Sequence, residues 1–323
     1  MPRERLDKNI SDDQKSNVYV SLQDLIKLQY EIRGFSFLPK QPVQSQLTGK
    51  HRSKLRGRGL DFDEVRSYAH GDDIRNIDWK VTARTQKPHT KTFTEERERP
   101  VFIIVDQSAS MFFGSRKSLK SVTAANIAAL ASWKVLAVGD RVGGIVFDDT
   151  DLTEIKPRRD RRAVQQFLQL IVDKNNQLSV NSFQQQNDEI LNKVLQKTTR
   201  QVTHDYLLVI ISDFSGFSTQ TMKYLISLSR HNDIILGMVN DPMEGELPPE
   251  EVVISNGDMQ MIAGANDTSV KKRFKESFSE HVQTIRDQTK AYGITLLEFN
   301  TVEPASDQLR NMLTRGSPKR KIG

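Results

Sequence analysis

The stretch VFIIVDQSASMFFG, residues 101–114, decides the fold. Five apolar residues run without interruption into Asp106, and Ser108 and Ser110 follow at a spacing of two. A continuous apolar strand of this kind is typical of a parallel sheet that is buried on both faces. A buried strand that ends in one carboxylate and two hydroxyls therefore predicts both a sheet and a polar site at its edge.

Apolar strands and amphipathic helices alternate after this stretch. The segment SLKSVTAANIAALASWKVLAVG (118–139) predicts a long helix, and DYLLVIISD (205–213) predicts a second buried strand. Strands separated by helices imply right-handed crossovers. We therefore expect a doubly wound α/β domain over residues 101–315, with a mostly parallel sheet and helices on both faces.

The rest of the chain divides into three further segments. Residues 1–33 are expected to form a flexible N-terminus with one short helix. Residues 34–100 are expected to form an N-terminal elaboration, in which Asp72 caps a short helix. Residues 316–323 are expected to form a basic tail.

The composition excludes several kinds of site and suggests a compartment. The chain has 323 residues and no cysteine, which removes disulfides, thiolate metal sites and cysteine nucleophiles. The N-terminus has no signal-peptide core, and no apolar run approaches the ~20 residues that span a bilayer. We therefore expect a cytoplasmic protein.

The net charge of +6 is clustered in three basic segments, 50–60, 156–162 and 315–321. Such clusters attract nucleic acid or anionic surfaces. Aromatic residues do not interleave with the basic ones, as single-strand stacking platforms require, and no zinc-finger or RNP signature is present. We therefore expect solvated faces and no nucleic-acid partner, with weak nucleic-acid binding as an alternative.

Two strand ends carry the residues that could form a site. Asp106 and Asp213 each follow a buried strand, and ligands of open α/β sheets bind beyond the carboxyl ends of the strands. If the two strands are neighbours, the carboxylates converge with the nearby hydroxyls of Ser108, Ser110, Ser212 and Ser215. An all-oxygen set suits hard cations such as Mg²⁺ or Ca²⁺. Asp and Ser after a strand are also common turn formers and helix caps.

Two segments resemble a known family. The sequences Asp106-Gln107-Ser108-Ala109-Ser110 and Ile211-Ser212-Asp213 resemble the metal-ion-dependent adhesion site of von Willebrand factor A domains. Residues 57–97 resemble the signature of the bacterial domain of unknown function 58 family, often found beside MoxR-type AAA+ ATPases. The resemblance covers residues 34–300. The matching signature positions are Gly59, Phe62, Arg66, Tyr68, Gly71, Asp72, Arg75, Asp78, Trp79, Ala83, Arg84 and Glu96.

The resemblance implies a cation site. The positions that match the family's metal ligands are Asp106, Ser108, Ser110 and Asp213. The fourth ligand, usually a threonine, is missing from its expected place, and Ser182 or Asn187 is the candidate replacement. The implied cofactor is a divalent cation, Mg²⁺ first with Mn²⁺ or Ca²⁺ as alternatives, or none if the site is degenerate. The cation would keep one position open for an acidic residue of a partner.

The oxygen-only site and the family resemblance together imply a non-enzymatic protein-interaction module that would act with a MoxR-type AAA+ ATPase in maturing or assembling client proteins. The expected partners are that ATPase and an acidic residue of a client, with a peripheral contact to a membrane complex as a further one. No small-molecule substrate is expected, because the chain has no G-x-S-x-G, H-E-x-x-H or P-loop motif. A metal-dependent hydrolase in the Asp106/Asp213 crevice is the enzymatic alternative.

Overall fold

The computed structural model describes residues 17–33, 60–95, 99–179, 182, 187–245, 252–255, 260–263 and 268–315. The chain forms two compact units, one from Met1–Pro39 with Arg99–Gly323 and one from Lys40–Glu98. The predicted basic tail 316–323 lies outside the described residues, as does the basic cluster at 50–59.

The strands and helices are as follows in chain order. The strands are β1 (Leu60–Ser67), β2 (His89–Glu95), β3 (Val101–Asp106), β4 (Val142–Phe147), β5 (Leu152–Arg158), β6 (Leu207–Ser212), β7 (Asp233–Asn240), β8 (Val252–Ser255), β9 (Gln260–Ala263) and β10 (Thr295–Asn300). The α-helices are α1 (Leu22–Lys27), α2 (Trp79–Thr85), α3 (Lys120–Val138), α4 (Arg161–Asn175), α5 (Ile190–Gln201), α6 (Thr219–Ser229), α7 (Pro242–Gly245), α8 (Thr268–Lys290) and α9 (Ala305–Arg315).

A six-stranded sheet in the order β10-β7-β6-β3-β4-β5 lies at the centre of the larger unit. Strands β10, β7, β6, β3 and β4 run parallel, and β5 is an antiparallel edge strand. The expected α/β fold with a mostly parallel sheet is therefore confirmed. Strands β3 and β6 are direct neighbours, with Val101 paired to Leu207.

The side chains of β3 alternate between two apolar cores. Ile103 packs in the core that contains α3 and α4, whereas Ile104 packs in the core that contains α5 and α6. Every residue of β3 is buried. A strand enclosed on both faces explains why its sequence is continuously apolar and not alternating.

Helix α3 is the most apolar helix of the larger unit. Lys120–Val138 has a mean hydropathy of 1.4 and is long and apolar enough to cross a membrane by length and composition alone. This differs from the expectation that no apolar run approaches that length. In the fold, 72% of its most apolar window is buried inside the protein. Such burial is what the core helix of an α/β sheet requires.

The N-terminal segment 17–33 is part of the larger unit and packs on its helices α3 and α4. The predicted short helix is present as α1, and Ser21 caps it by accepting from Asp24 N at 3.2 Å. Leu25 is fully buried, and its carbonyl accepts from Trp133 Nε1 at 2.9 Å. The predicted short helix anchors residues 17–33, because α1 covers α3 and α4. Residues 1–16, where flexibility is expected, lie outside the described residues.

The smaller unit is built on the antiparallel pair β1–β2, with a bulge between Phe62 and Glu64. A 3₁₀ turn at Ile74–Asn76 and helix α2 lie between the two strands. The expectation that Asp72 caps this helical region is wrong. The caps are Asp73 for the 3₁₀ turn and Asp78 for α2.

Asp72 is engaged elsewhere, which explains the difference. Its two carboxylate oxygens accept from the Arg66 guanidinium at 2.8 and 2.9 Å, and Oδ2 also accepts from Ala69 N at 2.8 Å. The bidentate pair with Arg66 and the bond from Ala69 N hold the Asp72 carboxylate on the β1 side of the loop, and Asp73 caps the 3₁₀ turn instead, by accepting from Arg75 N at 3.0 Å. Asp78 makes the two cap bonds, to Lys80 N at 3.0 Å and Val81 N at 3.1 Å.

Candidate functional site

The site begins where β3 and β6 end side by side. Asp106 is the last residue of β3 and Ser212 the last of β6. Ser212 Oγ donates to Asp106 Oδ2 at 2.6 Å. The parallel pairing of these strands therefore brings the two predicted strand ends together, as expected for the carboxyl edge of a doubly wound sheet.

The loop after Asp106 turns tightly and presents two hydroxyls. Ser108 N donates to Asp106 Oδ1 at 2.8 Å, and the Oγ atoms of Ser108 and Ser110 lie 3.2 Å apart. Gln107 anchors the loop from below, because its buried side chain donates to Ser121 O at 3.1 Å and accepts from Asn175 Nδ2 at 2.9 Å. The local sequence D-Q-S-A-S thus fixes the carboxylate and points both serines to the same edge.

The loop after β6 completes this edge. Ser215 N donates to Asp213 Oδ1 at 3.0 Å, and Ser215 Oγ donates to Ser110 Oγ at 3.3 Å. The Ser110 hydroxyl also bonds the Asp213 carboxylate and lowers its pKa. Asp106, Ser108, Ser110 and Asp213 therefore form one hydrogen-bonded cluster.

The two carboxyl groups have opposite electrostatic surroundings. Burial, with the negative charge of Asp213 added, raises the pKa of Asp106 to about 7, against the lowering effect of hydrogen bonds from Ser108 and Ser212. Burial also disfavours the charge on Asp213, but the ion pair with Lys120 outweighs it and holds the pKa of Asp213 below its ordinary value. Asp213 thus carries a stable negative charge, whereas Asp106 holds its charge weakly.

Lys120 and Glu244 belong to the site, although the sequence did not single them out. Lys120 Nζ lies 2.8 Å from Asp213 Oδ2 and 2.5 Å from Glu244 Oε1. Burial opposes the charge on Lys120, but Asp213 and Glu244 together raise its pKa. Lys120 therefore lies between two carboxylates, whereas among the described residues no lysine or arginine forms an ion pair with Asp106.

The candidate fourth ligands lie in different places. Asn187 lines the small crevice at Asp106, Ser108 and Ser110. Its backbone N donates to Asp149 Oδ1 at 2.9 Å. Its side-chain oxygen accepts from Glu189 N at 3.1 Å. Ser182 Oγ instead accepts from Ser179 N at 3.0 Å, and Ser182 is not among the described residues that line the crevice.

Asp149 is a further site residue that the sequence reading missed. It follows β4, the other neighbour of β3, and its Oδ2 accepts from Ala109 N at 2.6 Å. Burial raises its pKa. Two carboxylates, Asp148 and Asp149, follow the end of β4 at Phe147. The rule that identified Asp106 and Asp213 would therefore have pointed to this loop had the strand order been known.

A cavity of about 10 Å³ lies within this cluster, lined in part by Asp106, Ser108, Ser110, Asp149 and Asn187. That volume is close to the space of a single water-sized sphere, about 10–15 Å³. Within the described part of the chain, no three His, Asp or Glu side chains group closely enough to hold a metal by themselves. Oxygen atoms of the type that hard cations prefer are present among the lining side chains, those of Asp106, Asp149, Ser108 and Ser110, whereas Asp213 does not line this cavity.

An open groove of about 600 Å³ adjoins the crevice between α5 and α6. Asp188, Ser215 and Gly216 line both the crevice and the groove. Gln196 and Tyr224 line the far part. A protein segment that approaches the crevice from solvent therefore has a path along this groove.

The basic cluster 156–162 lies away from this edge, at the end of β5 and the start of α4. The Arg161 guanidinium stacks 5.2 Å from the Trp133 ring centroid and donates to Gln29 Oε1 at 2.8 Å. Arg161 therefore serves the packing of the N-terminal segment.

Solved structures with a similar chain path include the BatB protein of Bacteroides thetaiotaomicron, at a TM-score of 0.41 and 16% identity over 67% of this chain and 98% of that one. An aerotolerance-related membrane protein of Bacteroides fragilis matches at a TM-score of 0.40 and 16% identity over 67% and 97%. A von Willebrand factor type A structure from Catenulispora acidiphila matches at 0.31 and 10% identity over 70% and 43%.

Sequence comparison gives relatives of similar length. The uncharacterized protein Rv1480 of Mycobacterium tuberculosis (strain ATCC 25618 / H37Rv) is 27% identical over 284 residues, which cover 85% of both chains. The uncharacterized protein Mb1516 of Mycobacterium bovis matches to the same extent. The model of the family described as "Protein of unknown function DUF58" matches residues 64–284, more than half of the chain. This protein belongs to the DUF58 family.

Proposed function

We propose that this protein is a non-enzymatic interaction module that binds a divalent cation, Mg²⁺ first, between Asp106 and Asp213. An acidic side chain of a partner protein would occupy an open position on that cation. Ser108 and Ser110 would supply hydroxyl ligands beside the two carboxylates. The cation would act as a binding device and would not activate a substrate.

The observation that carries this proposal is that Asp106 and Asp213, at the ends of neighbouring strands, interact electrostatically. Asp106 also lines a cavity of about the size of a water molecule. Two buried carboxylates placed together repel each other unless a proton or a cation compensates them. Lys120 compensates Asp213, whereas no lysine or arginine of the described residues compensates Asp106. A divalent cation would supply the missing positive charge, and hard cations favour oxygen ligands.

The groove between α5 and α6 supports a protein as the partner. It is open to solvent and joins the crevice at Ser215 and Gly216. A side-chain carboxylate of a segment lying in the groove could reach the cation edge. We further propose that the partners include a MoxR-type AAA+ ATPase and a client with an exposed acidic residue, and that the protein works in the cytoplasm.

Cation titration of the full chain tests the site. We expect Mg²⁺ and Mn²⁺ to raise the melting temperature of the wild-type protein and Asp106→Ala to abolish that rise. Asp173→Asn is the matched control, because Asp173 is an exposed helical carboxylate far along α4. A folded Asp106→Ala variant that binds cations as the wild type does would contradict the proposal.

Affinity purification from native cells tests the partners. The full chain is used as bait in parallel with Mg²⁺ and with EDTA, and Asp106→Ala is the second bait. We expect an AAA+ ATPase or an acidic client with the wild type in Mg²⁺ only. Identical recovery in EDTA would exclude a cation-bridged contact, and cell fractionation of the same culture checks the location. A hydrolase screen with Mg²⁺ checks the enzymatic alternative, which turnover lost in Asp106→Ala would support.

A further inference from the structure

The most deeply buried charged side chain beside the cation site is Lys120. It is the first residue of α3, it is 2% exposed, and its Nζ contacts both Asp213 and Glu244. A buried cation next to a candidate cation ligand is an unusual arrangement, because two positive charges would then share one carboxylate. The proposed function does not explain its presence.

Glu244 is held firmly in this arrangement. Its Oε1 contacts Lys120, and its Oε2 accepts from Asp241 N at 2.8 Å. Asp241 in turn accepts from Ser115 N at 2.9 Å and from Thr301 Oγ1 at 2.5 Å. These bonds therefore fix the Glu244 carboxylate of helix α7 against Lys120.

We propose that Lys120 is an internal counter-cation that weakens divalent-cation binding by sharing Asp213, and that Glu244 limits this effect. This inference rests on the proposed function, because it needs a cation at Asp106 and Asp213. Lys120 and Glu244 are positioning residues, since neither is placed as a ligand of the cation.

The expected effects follow from charge alone. A positive charge beside a carboxyl group changes its affinity for a proton by about 10- to 1,000-fold, and the same field acts on a metal cation. Removing the Lys120 charge leaves Asp213 more attractive to a divalent cation. Removing the Glu244 charge takes away one negative charge and directs Lys120 to Asp213 alone, so cation affinity falls.

A purely structural role would give a different pattern. If Lys120 and Glu244 only held Asp213 in position, either substitution would misplace Asp213 and weaken the cation. The two roles are therefore separated by the sign of the effect of Lys120→Met. A site weakened in this way would hold its cation well only when a partner carboxylate adds its charge, which suits a reversible contact.

The experiment measures Mn²⁺ binding to the full chain at one neutral pH, from the electron paramagnetic resonance signal of free Mn²⁺. The variants are Lys120→Met, Glu244→Gln and the double variant, and the control is Lys27→Met, whose side chain is 70% exposed. We expect Lys120→Met to bind roughly tenfold more tightly or better, Glu244→Gln to bind more weakly, and the double variant to return towards the wild type.

Weaker or unchanged binding by a folded Lys120→Met protein would overturn the inference while leaving the proposed site intact. If Lys120→Met is unfolded by circular dichroism, Lys120→Gln replaces it, because the amide removes the charge and keeps a hydrogen-bond donor. Weaker or unchanged binding by Lys120→Gln then overturns the inference. If neither the wild type nor any variant binds Mn²⁺, the proposed function itself is wrong. Binding by Lys120→Met alone would support the inference and would contradict cation binding by the wild-type protein.

Discussion

Ser212 Oγ donates to Asp106 Oδ2 at 2.6 Å and so joins the ends of β6 and β3. Ser212 Oγ also accepts a hydrogen bond from Phe214 N at 2.9 Å. The backbone of Phe214 is left-handed, with φ of 56°. Residues other than glycine rarely adopt this conformation, because their side chains make it sterically unfavourable. One buried hydroxyl therefore positions the Asp106 carboxylate and also supports the turn that follows Asp213.

Ser212→Ala is expected to destabilise the protein by about 2 kcal/mol, because the buried Asp106 oxygen and Phe214 N both lose this partner. Urea unfolding monitored by circular dichroism measures the change. Ser215→Ala is the control, since the Ser215 side chain is exposed and its loss should stay within about 0.5 kcal/mol. Equal effects of the two substitutions would show that the Ser212 bond contributes nothing specific.

The stability of the cation-free protein is expected to fall as the pH rises from about 4 to about 7. Asp106 has a pKa of about 7 in the folded protein and about 3.9 when unfolded. Between these values the folded protein binds more protons than the unfolded chain, so each rise in pH favours unfolding. The total loss is on the order of 4 kcal/mol as an upper bound. The lowered pKa of Asp213 acts in the opposite sense, below this window.

Asp106→Asn is expected to remove most of that slope, because the amide does not titrate. A smaller slope should remain from Asp149 and Glu244, whose pKa values burial also raises. Urea unfolding in EDTA at several pH values measures the slope, and Mg²⁺ should reduce it in the wild type only. A slope that persists unchanged in Asp106→Asn would place the titrating group elsewhere.

The fold was largely predictable because its signals are local. The apolar run before Asp106 and the one before Asp213 each predict a buried strand. In the structure both strands lie in one sheet, as parallel neighbours. The cap of the helical region in the smaller unit was misassigned for the opposite reason. Asp72 forms an ion pair with Arg66, six residues earlier in the chain. The cap preferences of single residues contain no information on such a pair.

The site was predictable only in part. The pattern around Asp106 identified four residues that the structure brings together, and Asn187 reaches the same crevice. Lys120 was missed because its partners lie 93 and 124 residues further along the chain. A lysine at the head of an Ala-rich helix looks solvent-exposed in sequence, and only the packed sheet shows that it is buried between two carboxylates.

Asp149 and Asn187 are expected to differ in their effects. Asp149→Ala should lower the free energy of unfolding by about 2–4 kcal/mol, because the backbone N atoms of Ala109 and Asn187 both donate to this buried carboxylate. Asn187→Ala should lower the free energy of unfolding by about 1 kcal/mol, since the Asn187 side-chain oxygen accepts from Glu189 N just before α5. Urea unfolding provides both values.

Cation affinity then shows whether Asn187 is the fourth ligand. Its side-chain oxygen is occupied by Glu189 N, so we expect Asn187→Ala to leave Mn²⁺ affinity nearly unchanged. Ser182→Ala is the comparison, because Ser182 lies outside the crevice lining among the described residues and should also leave affinity unchanged. A loss of roughly tenfold or more in Asn187→Ala alone would identify its amide oxygen as a ligand.

Leu25→Ala is expected to destabilise the α/β unit by about 3 kcal/mol, since it removes a fully buried side chain from the core under α1. The backbone bond from Trp133 Nε1 to Leu25 O does not depend on the side chain, so the helix should stay in place. Tyr30→Ala is the control, because Tyr30 is 76% exposed and should change stability by less than about 0.5 kcal/mol. Urea unfolding of the full chain measures both, and similar small effects would show that residues 17–33 are not part of the folded core.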